Sequence, residues 1–308
     1  MFHLQAKLME RKKDNMESLH ILEPGREKIY FDIVQVGAGA NGGQFFRSLC
    51  QDIATHFRSF NENKQEVTFG VNMLLCDADR YEDHNLSNQL CTQEDIGEFK
   101  VDALKERYEE VYGLSIGSIP RYVKTKEMID QLFSDKGISD KYQTVKILVG
   151  MIDNNKTRQL FHDYFYSDDI ENLIWIDAGV TGVNISSSDS KVIRESGFSG
   201  QVVVGFKYRG RVILKPVTDV FPEMLEDAKS SFPDESCGEL IINNPQRSAT
   251  NRMAATIANN VMNNLFHSQR IYSHIINFNA QTCMSGGRTG SITEEHTSMF
   301  NDLKSIEE

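Results

Sequence analysis

Three glycines and two carboxylates are the residues of this chain best placed to do chemistry. Gly37, Gly39 and Gly42 stand in G-x-G-x-x-G spacing within VGAGANGG, directly after an apolar run and ahead of a helical pattern. At such a junction glycine lets backbone N–H groups approach a phosphate, and the start of the helix adds a positive dipole end. The spacing serves a dinucleotide or a mononucleotide equally, and a packing turn is the plain alternative. A second run, LLCDADRYEDHNLSNQL, ends its apolar part at Asp77 and Asp79 and continues into a row of amides. An acid at the end of the second strand of a nucleotide-binding fold accepts hydrogen bonds from ribose hydroxyls, and Asp77 has that place. It lies further from the glycines than the usual ~20 residues, and the segment NENKQEVTFG accounts for the extra length. A fold that binds NAD needs one acid there and has no use for the amides that follow.

The elements that must position these groups can be read from hydrophobic patterning. IYFDIVQVG, VTFGVNMLLCD, the weaker SIPRYVK, VKILVGMID and NLIWIDAG read as strands. Helical patterns alternate with them: GGQFFRSLCQDIATHFRSF, KVDALKERYEEVYG, KEMIDQLFSD and NKTRQLFHDYFY. Alternation of this kind predicts an α/β fold with a Rossmann-like, doubly wound, mostly parallel sheet. Beyond residue 180, GQVVVGFKYRGRVILKPV alternates and turns at Arg209-Gly210, an antiparallel hairpin that extends the sheet. A long helix follows over TNRMAATIANNVMNNLF. The expected organisation is an N-terminal helix and arm over 1–29, one domain over 30–280, and a flexible tail over 281–308.

Bulk properties narrow the function classes. The chain has 308 residues, 40% of them hydrophobic, and a net charge of -11. An acidic chain is a poor binder of nucleic acid, which is held through Lys and Arg on its phosphates. The five cysteines include no C-x-x-C pair, so a reducing compartment and no disulfide framework are expected. The polar N-terminus lacks the apolar core of a signal peptide, and no run of about 18 apolar residues could cross a membrane. A cytoplasmic protein is the expectation. The histidines make no metal-ligand pair.

Several motifs in order carry a family resemblance. DADRYEDHNLSNQ resembles the D-x-D-x-V-x-x-S-N-L-x-R-Q motif of the ThiF/MoeB/HesA family, the adenylyltransferases related to ubiquitin-activating enzymes; Asp77, Asp79, Asn85, Leu86 and Gln89 fall on its positions. EDIGEFKVDALKERY places Lys100 on the motif lysine, and VGMIDNNKTRQLFHDYF places Asp153, Asn154 and Arg158. WIDAGVTG and the block from DESCGEL to the long helix also match, the latter nearest the branch found in PRTRC-type bacterial operons. The resemblance runs from about residue 30 to 267.

What the resemblance implies is ATP-dependent adenylation of the C-terminal glycine carboxylate of a small ubiquitin-like (β-grasp) protein, by a homodimer, with a conjugating enzyme as a possible further partner. ATP lies on the loop of Gly37, Gly39, Asn41 and Gly42; Asp77 and Asp79 wall its sugar side; Lys100 reaches the phosphates; Asp153, beside Asn154, holds Mg²⁺; Asn85 and Gln89 orient nucleotide and carboxylate. By residue type alone Lys100 fits a solvated helix face, Asp153 a helix N-cap, and Arg158 an ion pair with a helix carboxylate. The family's motif arginine is Asn88 here, which removes a positive charge; Arg80, Arg47 or another chain could replace it. Relatives use an N-terminal arginine across the dimer, for which Arg11 or Arg26 is the candidate. Cys237, in FPDESCGEL, takes the place of a reactive cysteine, although its acidic neighbours oppose thiolate formation. Cys50 and Cys76 read as core, and Cys91 as a possible lining residue. An NAD(P)-dependent oxidoreductase and a catalytically degenerate partner-binding scaffold are the alternatives.

Overall fold

A computed structural model describes residues 16–62, 69–133, 141–233, 245–286 and 290–306. Arg11 and Cys237 lie outside the described residues. After a short strand β1 (Leu19–His20) comes β2 (Lys28–Val36), which runs into α1 (Ala40–Glu62). β3 (Phe69–Cys76), α2 (Lys100–Tyr112), β4 (Gly117–Ile119) and α3 (Lys126–Leu132) follow. Then come β5 (Tyr142–Gly150), α4 (Asn155–Phe165), β6 (Leu173–Val180) and α5 (Ser190–Glu195). The last part holds β7 (Ser199–Tyr208), β8 (Arg211–Leu214), the single turns α6 (Val217–Val220) and α7 (Glu223–Glu226), and the long α8 (Ser248–Ser268). β9 (Arg270–Ile271), β10 (Ile275–Asn279), β11 (Met284–Ser285) and α9 (Glu294–Ser305) close it.

The main sheet has the order β11-β10-β7-β6-β5-β2-β3-β4, with β8 paired to β7. β4, β3, β2, β5 and β6 are parallel, as the alternation predicted. β7, β8 and β10 join antiparallel. The chain first steps from β2 outward through β3 to β4, then returns to lay β5 on the other side of β2. That reversal is a topological switch point, where an open α/β sheet leaves a crevice at the carboxyl ends of its strands. The residues after β2, β3 and β5 all emerge there.

β2 is buried on both faces along most of its length, the pattern of a central strand covered by helices. One face packs Phe31 and Ile33 against α1, α2 and α8; the other packs Val34 and Val36 against α3 and α4. The hairpin turns at Arg209 (φ 47°) and Gly210 (φ 73°), the paired positive dihedrals that suit the twist of a two-residue hairpin.

The expectation of a flexible tail from residue 281 is corrected. α9 is a capped helix, Thr293 accepting from the His296 N–H at 3.4 Å, and its Phe300 is 1% exposed against Phe206 and Tyr208. Lys304 donates to the His20 and Leu22 carbonyls at 2.9 and 2.6 Å, tying the helix to the start of the described chain. The Gly/Ser-rich stretch before it masked this amphipathic helix in the sequence.

At the far end of α1, His56 stacks on Phe69 at 4.3 Å and meets His267 at 5.2 Å. Burial, and then the His267 ring, push His56 from the ordinary 6.5 down to about 4. The unfolded chain takes up that proton near 6.5 and the folded chain does not until about 4. Stability is therefore present above pH 6.5 and falls as pH drops toward 4. The midpoint of urea unfolding, measured from pH 7.5 to 4.5, should slope downward, and His56→Phe should flatten that slope; an unchanged slope removes His56 as its source.

Candidate functional site

The turn between β2 and α1 is built by its glycines in three different ways. Gly37 has φ +100°, which L side chains rarely adopt, and a Cβ there would collide with the Met151 carbonyl after β5. A Cβ on Gly42 would collide with the Gly37 carbonyl, so this glycine sets the close approach of helix to turn. At Gly39 a Cβ would meet nothing within 4 Å. The loop thus leaves open space at its middle glycine, where a phosphate could approach backbone. Gln35 fixes the turn from below, its Nε2 donating to Gly37 O (2.8 Å) and Gly42 O (3.0 Å).

Asp77 ends β3 beside this loop. Its Oδ2 accepts from the Ala38 N–H at 2.6 Å and its Oδ1 from the Asp79 N–H at 2.9 Å. Burial and the charge of Asp79 push its carboxyl up, against the opposing pull of Lys100 and these two N–H groups. Asp79 is the hub of a second cluster. Its Oδ2 takes the Lys100 ammonium at 2.8 Å, and its Oδ1 accepts from the Tyr122 hydroxyl. Burial works to raise Asp79, but the Lys100 charge and hydrogen bond and the Tyr122 hydroxyl outweigh it and hold the carboxyl below its ordinary range. Lys100 opens α2, and its side chain is 7% exposed. The solvated helix face that residue type suggested does not apply to it.

The amide row divides by role. Asn85 is buried, and its Oδ1 accepts from the Glu82 N–H at 2.9 Å, capping the 3-10 turn Asp83–Ser87. Asn88 Oδ1 and Gln89 Oε1 are buried and have no hydrogen-bond partner among the described residues, and the same holds for Asn41 Oδ1 in the first turn of α1. Buried acceptors without donors are the exception in native proteins. Here they sit on the loop and the segment that flank the crevice, and they suit a ligand rich in hydroxyl and N–H groups.

Past β5, Asp153 is exposed, and the N-cap of α4 is Asn154, whose Oδ1 accepts from the Thr157 N–H at 2.8 Å. The capping reading for Asp153 belongs to its neighbour, and Asp153 is left facing solvent at the switch point. Arg158 is 5% exposed. Its Nε donates to Asp177 on β6 at 3.0 and 3.2 Å and its Nη2 to Ile152 O at 2.8 Å. Its partner is a strand carboxylate, where a helix carboxylate was expected, and it braces the residue ahead of Asp153.

The other sequence candidates divide between the surface, the core and, for Cys91, a half-buried place within reach of the Lys100 charge. Arg80 lies 3.6 Å over the Phe99 ring and donates to Gly97 O at 2.6 Å, so its guanidinium serves its own loop. Arg47 is exposed on α1. Arg26 precedes β2, at the amino-terminal rim of the sheet, opposite the glycine loop. Cys50 and Cys76 are buried, and burial pushes both thiols up, Cys76 to about 12. Cys91 is half-buried and likewise raised, by burial and Asp95. Two residues escaped the sequence reading. Tyr122 lies three residues past β4, and Gln35 among the apolar residues at the end of β2; no spacing marks either. A polar residue inside a β-branched run is the one signal Gln35 offered.

The sequence model of the ThiF family matches residues 64–288, a span that begins after the glycine loop. No curated protein matches the chain by sequence. Among solved structures, E. coli MccB with succinimide is similar at 13% identity and a TM-score of 0.50, over 85% of this chain and 65% of MccB. PaaA is similar at 15% identity and a TM-score of 0.48, over 86% of this chain and 64% of PaaA. The E. coli tRNA N6-threonylcarbamoyladenosine dehydratase TcdA is similar at 15% identity and a TM-score of 0.40, over 76% of this chain and 85% of TcdA. This chain therefore spans a little under two thirds of the length of MccB and PaaA, and the likeness to MccB is one of fold. Among the described residues no helix is long and apolar enough to cross a membrane.

Proposed function

Because this chain belongs to the ThiF family, we propose that it is an ATP-dependent adenylyltransferase that activates the C-terminal glycine carboxylate of a small ubiquitin-like protein. The observation that carries the reading is the meeting at one switch point of an open glycine loop and the Asp77–Asp79–Lys100 cluster, with Asp153 exposed across from them. In the reaction a carboxylate oxygen of the partner attacks the α-phosphorus, a new P–O bond forms, and the bond to pyrophosphate breaks. Negative charge builds on the phosphates, and preorganised positive charge stabilises it.

Each residue then has a task. The N–H groups around Gly39 hold phosphate oxygens, and Asp77, already tied to Ala38 and Asp79, accepts from the ribose. Lys100 is stored on Asp79 with its ammonium desolvated, and moves that charge to the phosphates. Asn88, Gln89 and Asn41 offer acceptors to the base, the sugar or the incoming peptide. Asp153 would hold Mg²⁺, which keeps several waters and binds through one or two carboxylates plus phosphate oxygens; its charge would offset that of the triphosphate. The absence of a cluster of three or more metal-binding side chains among the described residues is compatible with such a site. We propose a homodimer in which Arg11 of one protomer serves the other's pocket, replacing the charge that Asn88 lacks, and Cys237 as the thiol that would take the acyl group if a thioester forms. A bacterial ubiquitin-like conjugation or defence system is the favoured setting.

The test is exchange of labelled pyrophosphate into ATP, run with a β-grasp protein ending in glycine that is encoded by a neighbouring gene. Exchange that requires both protein partner and Mg²⁺ is expected. Tight NAD(P) binding without exchange would replace this reading with the oxidoreductase one, and partner binding without exchange would replace it with the scaffold.

A further inference from the structure

α8 carries an amide where its pattern calls for an aliphatic residue. Ala254, Ala255, Ala258, Met262 and Leu265 form its buried stripe. Asn251, one turn earlier, continues that stripe and is 1% exposed, yet neither its Nδ2 nor its Oδ1 has a hydrogen-bond partner among the described residues. A buried amide with both ends unmet destabilises the fold that contains it, and such groups are rare.

Its neighbours follow from the packing of α8 on α1. Asn259 and Asn263 both donate to Asp52 Oδ2, the latter at 2.7 Å, and further along His267 meets His56. These contacts make the two helices parallel. The same register carried back three turns sets Asn251 level with the first turn of α1, which holds Asn41. Thr250, next to it, donates to Gly197 O at 2.7 Å, and Gly197 packs against Val183 beyond the end of β6. The start of α8 therefore lies at the carboxyl rim of the sheet, beside the glycine loop. In the same layer Asn41 Oδ1 and Gln35 Oε1 are acceptors without donors, while Gln35 Nε2 is already spent on Gly37 and Gly42. Asn251 Nδ2 is the donor group that this layer has unused.

We propose that Asn251 is a positioning residue of the nucleotide site: when the glycine loop is occupied, its Nδ2 bonds Asn41 Oδ1 and locks the first turn of α1 against α8. The amide has no partner among the described residues, and occupancy of the loop would supply the rearrangement that satisfies it. This rests on the ATP reading above, and the experiment separates the two. MgATP is titrated into wild type, Asn251→Leu, Asn41→Ala and the double variant by calorimetry, and each ligand-free protein is also melted. Leucine matches the amide in branching and heavy-atom count and removes the unmet polar group. The expected result is a ligand-free melting temperature at or above that of wild type, with MgATP bound about tenfold more weakly, a loss of one hydrogen-bond increment. The double variant should bind no more weakly than the weaker single one, because Asn251→Leu removes only a bond that Asn41→Ala has already removed. Wild-type affinity in Asn251→Leu, or additive losses in the double variant, would overturn the latch while leaving the nucleotide site intact. A lower ligand-free melting temperature would mean that the amide already serves the resting fold, which also overturns it. If Asn251→Leu does not fold, Asn251→Ala is read by its MgATP affinity and its additivity with Asn41→Ala, because the lost volume lowers its melting temperature in either case. No MgATP binding by wild type overturns both readings together.

Discussion

Asp153→Ala lowers pyrophosphate exchange at least ~10²-fold, the scale seen when one preorganised electrostatic contact to a developing charge is lost, and leaves the unfolding free energy within about 0.5 kcal/mol of wild type. Both halves come from the same observation. Asp153 is exposed just past β5 and carries no hydrogen bond or ion pair among the described contacts, so the fold has little to lose. Its neighbour behaves in the opposite way. Asn154 caps α4, and Asn154→Ala should cost about 1 kcal/mol of stability with a smaller effect on exchange. An exposed acid one residue ahead of the cap gains only a small helix-dipole contribution; a cation at the phosphates would give it a larger role. Urea unfolding and exchange measured on the same two preparations decide it. Equal exchange by Asp153→Ala and wild type would take Asp153 out of the mechanism, whatever its stability.

How far the sequence revealed this site depends on whether a residue acts through its neighbours in the chain or through space. The glycines and Asp77 act locally, at the ends of strands whose β-branched runs are plain, and the structure brings them together at the β2–β5 switch. The parallel sheet was legible for the same reason: each strand ends at a turn signal and each helix has its own apolar face. Tyr122 and Gln35 act through space. Tyr122 reaches Asp79 from the irregular segment just after the three-residue β4, beyond Pro120, and nothing in its spacing announces the contact. Asn85 and Arg158 fell on motif positions, but their partners could not be foreseen. Asn85 bonds within its own 3-10 turn, and Arg158 crosses to a strand 19 residues on. Capping slipped by one residue, from Asp153 to Asn154, because both types cap well and the choice depends on where the helix starts. α9 was missed because a Gly/Ser-rich stretch preceded it, and what orders it is burial of Phe300 under β7, a contact between residues more than ninety positions apart.

Arg158→Met is expected to destabilise the chain by about 3–5 kcal/mol, because it strands a carboxylate in the core. Asp177 is 1% exposed, and burial pushes its carboxyl up while the Arg158 guanidinium pulls it back. The site offers the carboxylate no second cation among the described residues, and Gly150 is bare opposite it: a Cβ there would come within 2.7 Å of Asp177 Oδ2. The strand is thus shaped around this ion pair. Replacing both partners, as Arg158→Met with Asp177→Leu, removes the stranded charge. Burying an apolar pair in place of an ionic one is often neutral, so the double variant should recover most of the lost stability. Exchange should not recover with it. Arg158 also holds the Ile152 carbonyl at 2.8 Å, and Ile152 is the residue that presents Asp153. Methionine cannot donate that hydrogen bond, so the end of β5 loses its brace in both variants. Stability restored with exchange still low would assign Arg158 two separable tasks, one in the core and one in aiming Asp153. Stability and exchange recovering together would reduce Arg158 to the ion pair, and Ile152 would need no support. A double variant as unstable as Arg158→Met would mean that the stranded charge at Asp177 is not what destabilises the single one.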